Sequence, residues 1–230
     1  MNQQDYVVAI EQLVQGEMPL GNLDKVLAIN MALKEHSRHK PRTVVMDIDG
    51  DGGFDYPIAD NLDDWADGFS VIKTVEYPVD DDDEIPSVLE DDAWTIYEKP
   101  DGKVLRFLED KPAATEDIRI THTAVHTCTS SACTVAGFDD EAVQALAAAY
   151  LCDMMATFYA QSGDSTIGAD AVDHKSKADE YARRGTAYRK LYYDHIGVAP
   201  GSVKPATGTK DLDVNYPWGW DRLTHPRKER

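Results

Sequence analysis

The chain has 230 residues, enough to bury a sizeable core in one domain or two unequal ones, and its 42 % hydrophobic and 28 % charged residues are those of an ordinary globular protein. Asp and Glu number 42 against 23 Lys and Arg, a formal charge of -19. That balance excludes direct binding to a nucleic-acid backbone, whose affinity comes from Lys and Arg displacing counterions, and leaves two uses for the charge: a DNA mimic, or the wall of a channel that DNA passes without sticking.

Two helices come first. Tyr6, Val7, Ile10, Leu13 and Val14 keep helical spacing up to Gly16, and Val26, Leu27, Ile29, Met31 and Leu33 resume it after the breakers Pro19 and Gly21. The basic run Lys34, His36, Arg38, His39 and Lys40 suits a helix C-terminus, where cations meet the negative end of the dipole, and Pro41 ends the helix. From Arg42 to about Val125 the period becomes alternating. Val44, Met46 and Ile48 share one side of an extended run, and Phe69, Val71 and Lys73 alternate with Ile72 and Thr74. Trp94, Ile96, Val104 and Phe107 flank the turn Pro100-Asp101-Gly102, and Ile118, Ile120 and His122 make a last strand. This pattern predicts one small antiparallel sheet of about four or five strands, with acidic loops at 80–84 and 90–92.

The chain then turns helical again. Asp139-Asp140-Glu141 is an acidic first turn, and 142–160 is apolar on nearly every face, with Ala145, Ala148, Ala149 and Ala156 as small contacts. Such a helix must be covered all round, by a thick monomer or by neighbouring subunits. Ser162-Gly163-Asp164 breaks it. A second helix from residue 169 or 170 to Ile196 carries the stripe Ala178, Tyr181, Ala182, Gly185, Tyr188, Tyr192 and Ile196, and Gly197 and Pro200 close it. Residues 199–230 show no period and hold Pro200, Pro205, Pro217 and Pro226. Six Lys and Arg against four acids make this segment +2, which leaves -21 on the rest. A basic arm bearing Tyr216, Trp218, Trp220 and Arg222 on an acidic body is suited to reach a partner.

The longest apolar-rich segment is interrupted by Asp153, so no membrane span is expected, and the opening MNQQDYVVAIEQ lacks the basic region of a secretory signal. The expectation is a soluble product of the cytoplasm. Cys128, Cys133 and Cys152 have the wrong parity for a disulfide scaffold and suit a reducing compartment, with Cys152 buried in a helix.

Two motifs suggest metals. Asp47-Ile48-Asp49-Gly50-Asp51-Gly52-Gly53 copies the first half of a calcium loop, yet position 12 is Ile58 where a bidentate Glu belongs, and a strand precedes it. An Asp/Gly-rich turn leaving a strand is the expectation. His122, His126, Cys128 and Cys133 could be imagined as a zinc site but lack paired C-x2-C spacing, so a strand end running into a Ser/Thr loop is expected. No nucleophile elbow, phosphate-binding glycine loop or H-E-x-x-H helix is present, and the sequence nominates no active site, no cofactor and no enzymatic activity.

The run from Phe138 to Leu146, with Met155-Ala156-Thr157-Phe158-Tyr159-Ala160, 173–181 and Leu191-Tyr192-Tyr193-Asp194-His195-Ile196-Gly197, resembles the helical core of tailed-phage head-to-tail connector or adaptor proteins. The resemblance covers about a quarter of the chain. It implies an α+β protein: an elongated helical bundle with an inserted antiparallel β-rich domain and an extended C-terminal arm. The expected division is 1–41 helices, 42–137 β-rich domain, 138–198 helical hairpin and 199–230 arm. The implied role is structural: a ring of twelve copies in the virion neck, assembled in the host cytoplasm, that binds the portal protein on one side and a tail or second adaptor ring on the other. DNA would pass through without specific binding, no membrane would be involved, and Tyr216, Trp218, Trp220 and Arg222 would dock the portal. The alternatives are an acidic DNA mimic that blocks a nucleic-acid-binding enzyme, and a metal-dependent enzyme using Asp47, Asp49 and Asp51.

Overall fold

A computed structural model gives α1 (Gln3–Val14), α2 (Asn22–His39), β1 (Arg42–Asp49), β2 (Asp55–Pro57), α3 (Ile58–Asn61), β3 (Ile72–Glu76), β4 (Trp94–Lys99), β5 (Gly102–Phe107), β6 (Asp117–Ala124), α4 (Asp140–Ser162) and α5 (Gly168–Ile196). The described residues are 1–15, 19–80, 86–109, 111–162 and 168–199.

Local chemistry starts the helices where the sequence places them. The Asn2 side chain accepts from the Asp5 amide at 3.0 Å while Asp5 Oδ2 accepts from the Asn2 amide at 2.8 Å, a reciprocal cap on α1. Asp24 Oδ2 accepts the Gly21 amide at 2.8 Å and starts α2. The last carbonyls of α1 are satisfied from α5: Arg184 Nη1 donates to the Val14 oxygen at 3.1 Å and the Tyr188 hydroxyl to that of Leu13 at 2.7 Å.

One core is helical. Tyr6, Val7, Ile10 and Val14 from α1, Ala28, Ile29, Ala32 and Leu33 from α2, and Tyr181, Tyr192 and Tyr193 from α5 close over α4. Ala147, Ala148, Ala149, Leu151, Cys152 and Met155 are each 0 % exposed. The over-apolar α4 is therefore covered by its own chain, and neighbouring subunits are not needed for that. The close approach of α4 and α5 is set at Gly185, where a Cβ would stand 3.3 Å from the Ala149 oxygen and 3.4 Å from Cys152 Cβ. Ala182, expected on the inward stripe, faces solvent, because 3.6 residues per turn carries the stripe through Tyr181, Gly185, Tyr188 and Tyr192 instead.

The β region differs from the single expected sheet. Among the described residues, six strands form two three-stranded antiparallel sheets, ordered β1-β6-β3 and β2-β5-β4. Their inner faces share a second core of Ile48, Tyr56, Ile72, Val75, Leu105, Phe107, Ile118 and Ile120, joined by Ile58 of α3 and Leu62 just after it. The alternation in β1 and β6 was legible, but β2 is a three-residue strand too short to show a period, and it splits the strands into two layers.

The expectation of an elongated helical bundle with an inserted domain is overturned. Among the described residues, the five helices and two small sheets belong to one compact unit, Met1–Pro200. The reason lies in the ties between the helical and β parts: the Gln3 amide donates to the Thr129 oxygen and the Cys133 amide to that of Met1, each at 2.9 Å, so the connection after β6 pairs with the N-terminus. The arm expected at 199–230 lies outside the described residues, Ala199 apart. No helix among the described residues is long and apolar enough to cross a membrane.

Candidate functional site

Two features stand out from the fold, a buried polar junction and an exposed apolar ridge. The junction forms where α2 hands over to β1 and β6 returns toward α4, so both chain crossings between the helical and β parts meet there. His36, 1 % exposed, has Nδ1 at 3.2 Å from the Tyr192 hydroxyl and its ring 5.1 Å from that of His126. Asp139, 6 % exposed, accepts from Lys40 Nζ at 2.7 Å and has Oδ1 at 2.8 Å from His195 Nε2. His126 Nε2 lies 2.9 Å from the Lys40 oxygen and its Nδ1 3.1 Å from that of Thr134. At the residue after Asp139, Asp140 Oδ1 accepts from the Tyr6 hydroxyl at 2.5 Å.

Burial pushes the His36 imidazole down to about 4, helped by the nearby His126, Lys40 and His39 and opposed by Asp139. His36 is therefore neutral at pH 7. Burial alone would raise the Asp139 carboxyl, but the Lys40 and His195 hydrogen bonds outweigh it and hold the group below its ordinary value. The arrangement is a set of mutually satisfied polar groups locking helix ends together. A groove of about 600 Å³ on α5, lined by Asp179, Ala182, Arg183 and Thr186, lies on solvent-facing positions of that helix and holds no nucleophile–base pair. Sequence reading placed His36, His39 and Lys40 only as a basic helix end and Asp139 only as an acidic first turn. The one available signal was the i, i+3 spacing of His36 and His39 on the face of α2 that carries Leu33.

The ridge runs along the opposite face of α2. Leu23, Leu27 and Met31, four residues apart, are 84, 51 and 38 % exposed. On α1, Val8 and Leu13 are also open to solvent.

Apart from Asp49, which is exposed opposite Asp117, the residues singled out for metals are committed elsewhere. Asp47 forks the Arg119 guanidinium at 2.7 and 2.9 Å, which holds its carboxyl below the ordinary value, and Asp51 Oδ1 accepts the Gly53 amide at 2.7 Å. Gly50 is demanded by packing: a Cβ there would sit 2.2 Å from the Ala113 oxygen and 2.8 Å from that of Glu116. His122 has Nε2 at 3.0 Å from the Asp63 oxygen, beneath Trp65, and its buried Nδ1 has no hydrogen-bond partner among the described residues. Cys128 and Cys133 are joined as a disulfide across an isolated antiparallel bridge, with Cα atoms 3.9 Å apart. That departs from the three reduced thiols expected, because the tight turn 129–132 sets the two cysteines directly opposite each other. Cys152 is the free, buried thiol expected, and burial pushes it up to about 11. Among the described residues no group of three His, Cys, Asp or Glu side chains is placed to hold a metal ion. Tyr216, Trp218, Trp220 and Arg222 lie outside the described residues.

Comparison with family models, with curated proteins and with solved structures finds no match to this chain.

Proposed function

We propose that this protein is a non-enzymatic head-to-tail connector of a tailed phage, acting as one copy of a ring in the virion neck. The observation that carries this reading is the ridge Leu23, Leu27 and Met31 on a chain whose charge outside the last 32 residues is -21. A soluble acidic protein keeps a row of large apolar side chains exposed when a neighbouring subunit covers it, and apolar contacts between copies overcome the repulsion of their like charges at short range. The acidic surface then suits a conduit for DNA. The arm with Tyr216, Trp218, Trp220 and Arg222 docks onto the portal protein, and the opposite side meets the tail or a second adaptor ring.

Native mass measurement and negative-stain imaging of the full chain, alone and with portal rings, test the proposal. A closed ring of many copies is the expected result. A stable monomer or dimer that ignores portal rings and instead inhibits a nucleic-acid-binding enzyme would replace it with the DNA-mimic reading, which the same charge favours.

A further inference from the structure

The two sheets have four edges, and the backbone shows which are open among the described residues. In the first sheet the Thr123 amide donates to the Val71 oxygen and the Asp117 oxygen accepts from Val79, both on the β3 side. The even-numbered residues of β6 therefore bond β1, in agreement with the Gly50 amide donating to the Glu116 oxygen. In β1, then, Arg42, Val44, Met46 and Ile48 face β6, and Thr43, Val45, Asp47 and Asp49 turn their N–H and C=O groups outward. In the second sheet the Phe107 amide donates to Phe54 on the β2 side and the Leu108 amide to Ala93 on the β4 side. By the same alternation Trp94, Ile96 and Glu98 of β4 point outward.

The remaining two edges are protected. The outer edge of β3 is paired, with the Leu89 amide donating to Val75 at 2.8 Å and the Tyr77 amide to Ser87 at 2.9 Å. Strand β2 is three residues long and ends in Pro57, which has no N–H to offer. The turn 50–54 joins β1 to β2 on one side of the sandwich, and with the orders β1-β6-β3 and β2-β5-β4 the open edge of β4 lies on the other. Soluble proteins blunt their edges, yet here an eight-residue and a six-residue edge on opposite sides have no backbone partner among the described residues.

Charge selects the occupant. Near the end of β1, Asp49 stands directly opposite Asp117, both exposed, and Asp47 is forked by Arg119. Like charges directly opposite across two strands destabilise the pair until a cation arrives. Across the face of the second sheet, Lys99 of β4 and Arg106 of β5 both reach Asp55 of β2, at 2.6 and 2.5 Å, and that three-residue cluster keeps one positive charge. We infer that the β1 edge of one copy pairs with the β4 edge of the next, head to tail, bringing Lys99 and Arg106 toward Asp47 and Asp49. A heterologous contact of this kind, using two different patches, generates a ring where its rotation closes and an open filament where it does not, and the ring reading requires the first. The inference rests on the ring reading above and assigns the contact between its subunits.

Proline placed where an N–H points outward removes an edge donor and leaves the sheet's own bonds intact. Val45→Pro and Glu98→Pro, each checked for a cooperative melt, should raise the concentration needed for half-assembly about tenfold. Mixed together below that raised concentration, they should form a one-to-one dimer and no larger species, because one keeps its β4 edge and the other its β1 edge. In the wild-type chain, hydrogen exchange at Val45, Asp47, Ile96 and Glu98 should slow on assembly while the outward amide of Asp55 on β2 does not, a readout independent of either variant. Glu98→Pro dimers formed alone would show β1 pairing with itself and overturn the head-to-tail contact. So would unchanged exchange at these amides in a wild-type chain that still forms rings, a result that leaves the connector reading standing. A wild-type chain that never assembles, alone or with portal rings, overturns both.

Discussion

His36 is a neutral imidazole enclosed by Tyr192, His126 and Asp139, and its acid–base chemistry is a statement about stability. Its folded pKa of about 4 is below the unfolded value of 6.5, so below pH 6.5 the unfolded chain binds the extra proton and the folded one resists it. Stability is full above pH 6.5 and falls as the pH drops toward 4, by about 1.4 kcal/mol per unit and about 3 kcal/mol in all. Asp139, held below its ordinary value, acts in the same direction: its contribution is present above the usual carboxylate range and is lost as pH falls through the lowered folded value. Urea titrations at pH 7, 5.5 and 4.5 should show the decline, and His36→Gln, which has nothing to protonate there, should flatten it. An equal slope in the variant would place the acid sensitivity elsewhere. None of this was legible along the chain, because His36 and Asp139 are a hundred residues apart and the burial that shifts the imidazole is created by α5.

At the level of elements, α4 shows why an apolar pattern needs a partner before it means anything. Its nearly uniform apolarity carries no information about which side faces in, and the structure answers by covering it with three helices of the same chain. Ala149 lies at the closest approach of α4 to α5, fully buried against the Gly185 backbone. Ala149→Asp should cost about 3–5 kcal/mol, enough to unfold a marginal domain, because it forces a carboxylate into the fully buried contact between α4 and α5. Ala187→Asp, on an exposed turn of α5, should change stability by less than about 0.5 kcal/mol. Thermal melts of the two variants separate these outcomes, and equal stability would mean that α4 and α5 do not pack through Ala149.

For the whole molecule the test is truncation. Both hydrophobic cores and every capping contact described above lie before Pro200, inside the compact unit Met1–Pro200. Deleting residues 200–230 should leave a cooperative melt and an unchanged helical spectrum. Under the connector proposal, the same deletion should abolish co-sedimentation with portal rings, since Tyr216, Trp218, Trp220 and Arg222 are removed together. Undiminished binding would take the arm out of the mechanism, and a misfolded truncation would mean that the arm belongs to the core.

What the chain determined by itself was what depends on neighbours a few residues away. The start of α1 at a reciprocal Asn2–Asp5 cap, the end of α2 before Pro41, the β4–β5 hairpin around Pro100-Asp101-Gly102 and the helical spans of α4 and α5 all follow from propensity, capping and period. The tertiary structure alone decided what depends on distant partners. It divided the described strands into two sheets, covered α4 within one chain, set Cys128 opposite Cys133, gathered His36, His126, His195 and Asp139 at one junction, and left the edges of β1 and β4 without a backbone partner among the described residues. The physical reason is the range of the forces involved: capping and periodicity act within one or two turns of chain, whereas burial, and the shifted titration and edge exposure that follow from it, depend on which remote segments arrive to exclude water.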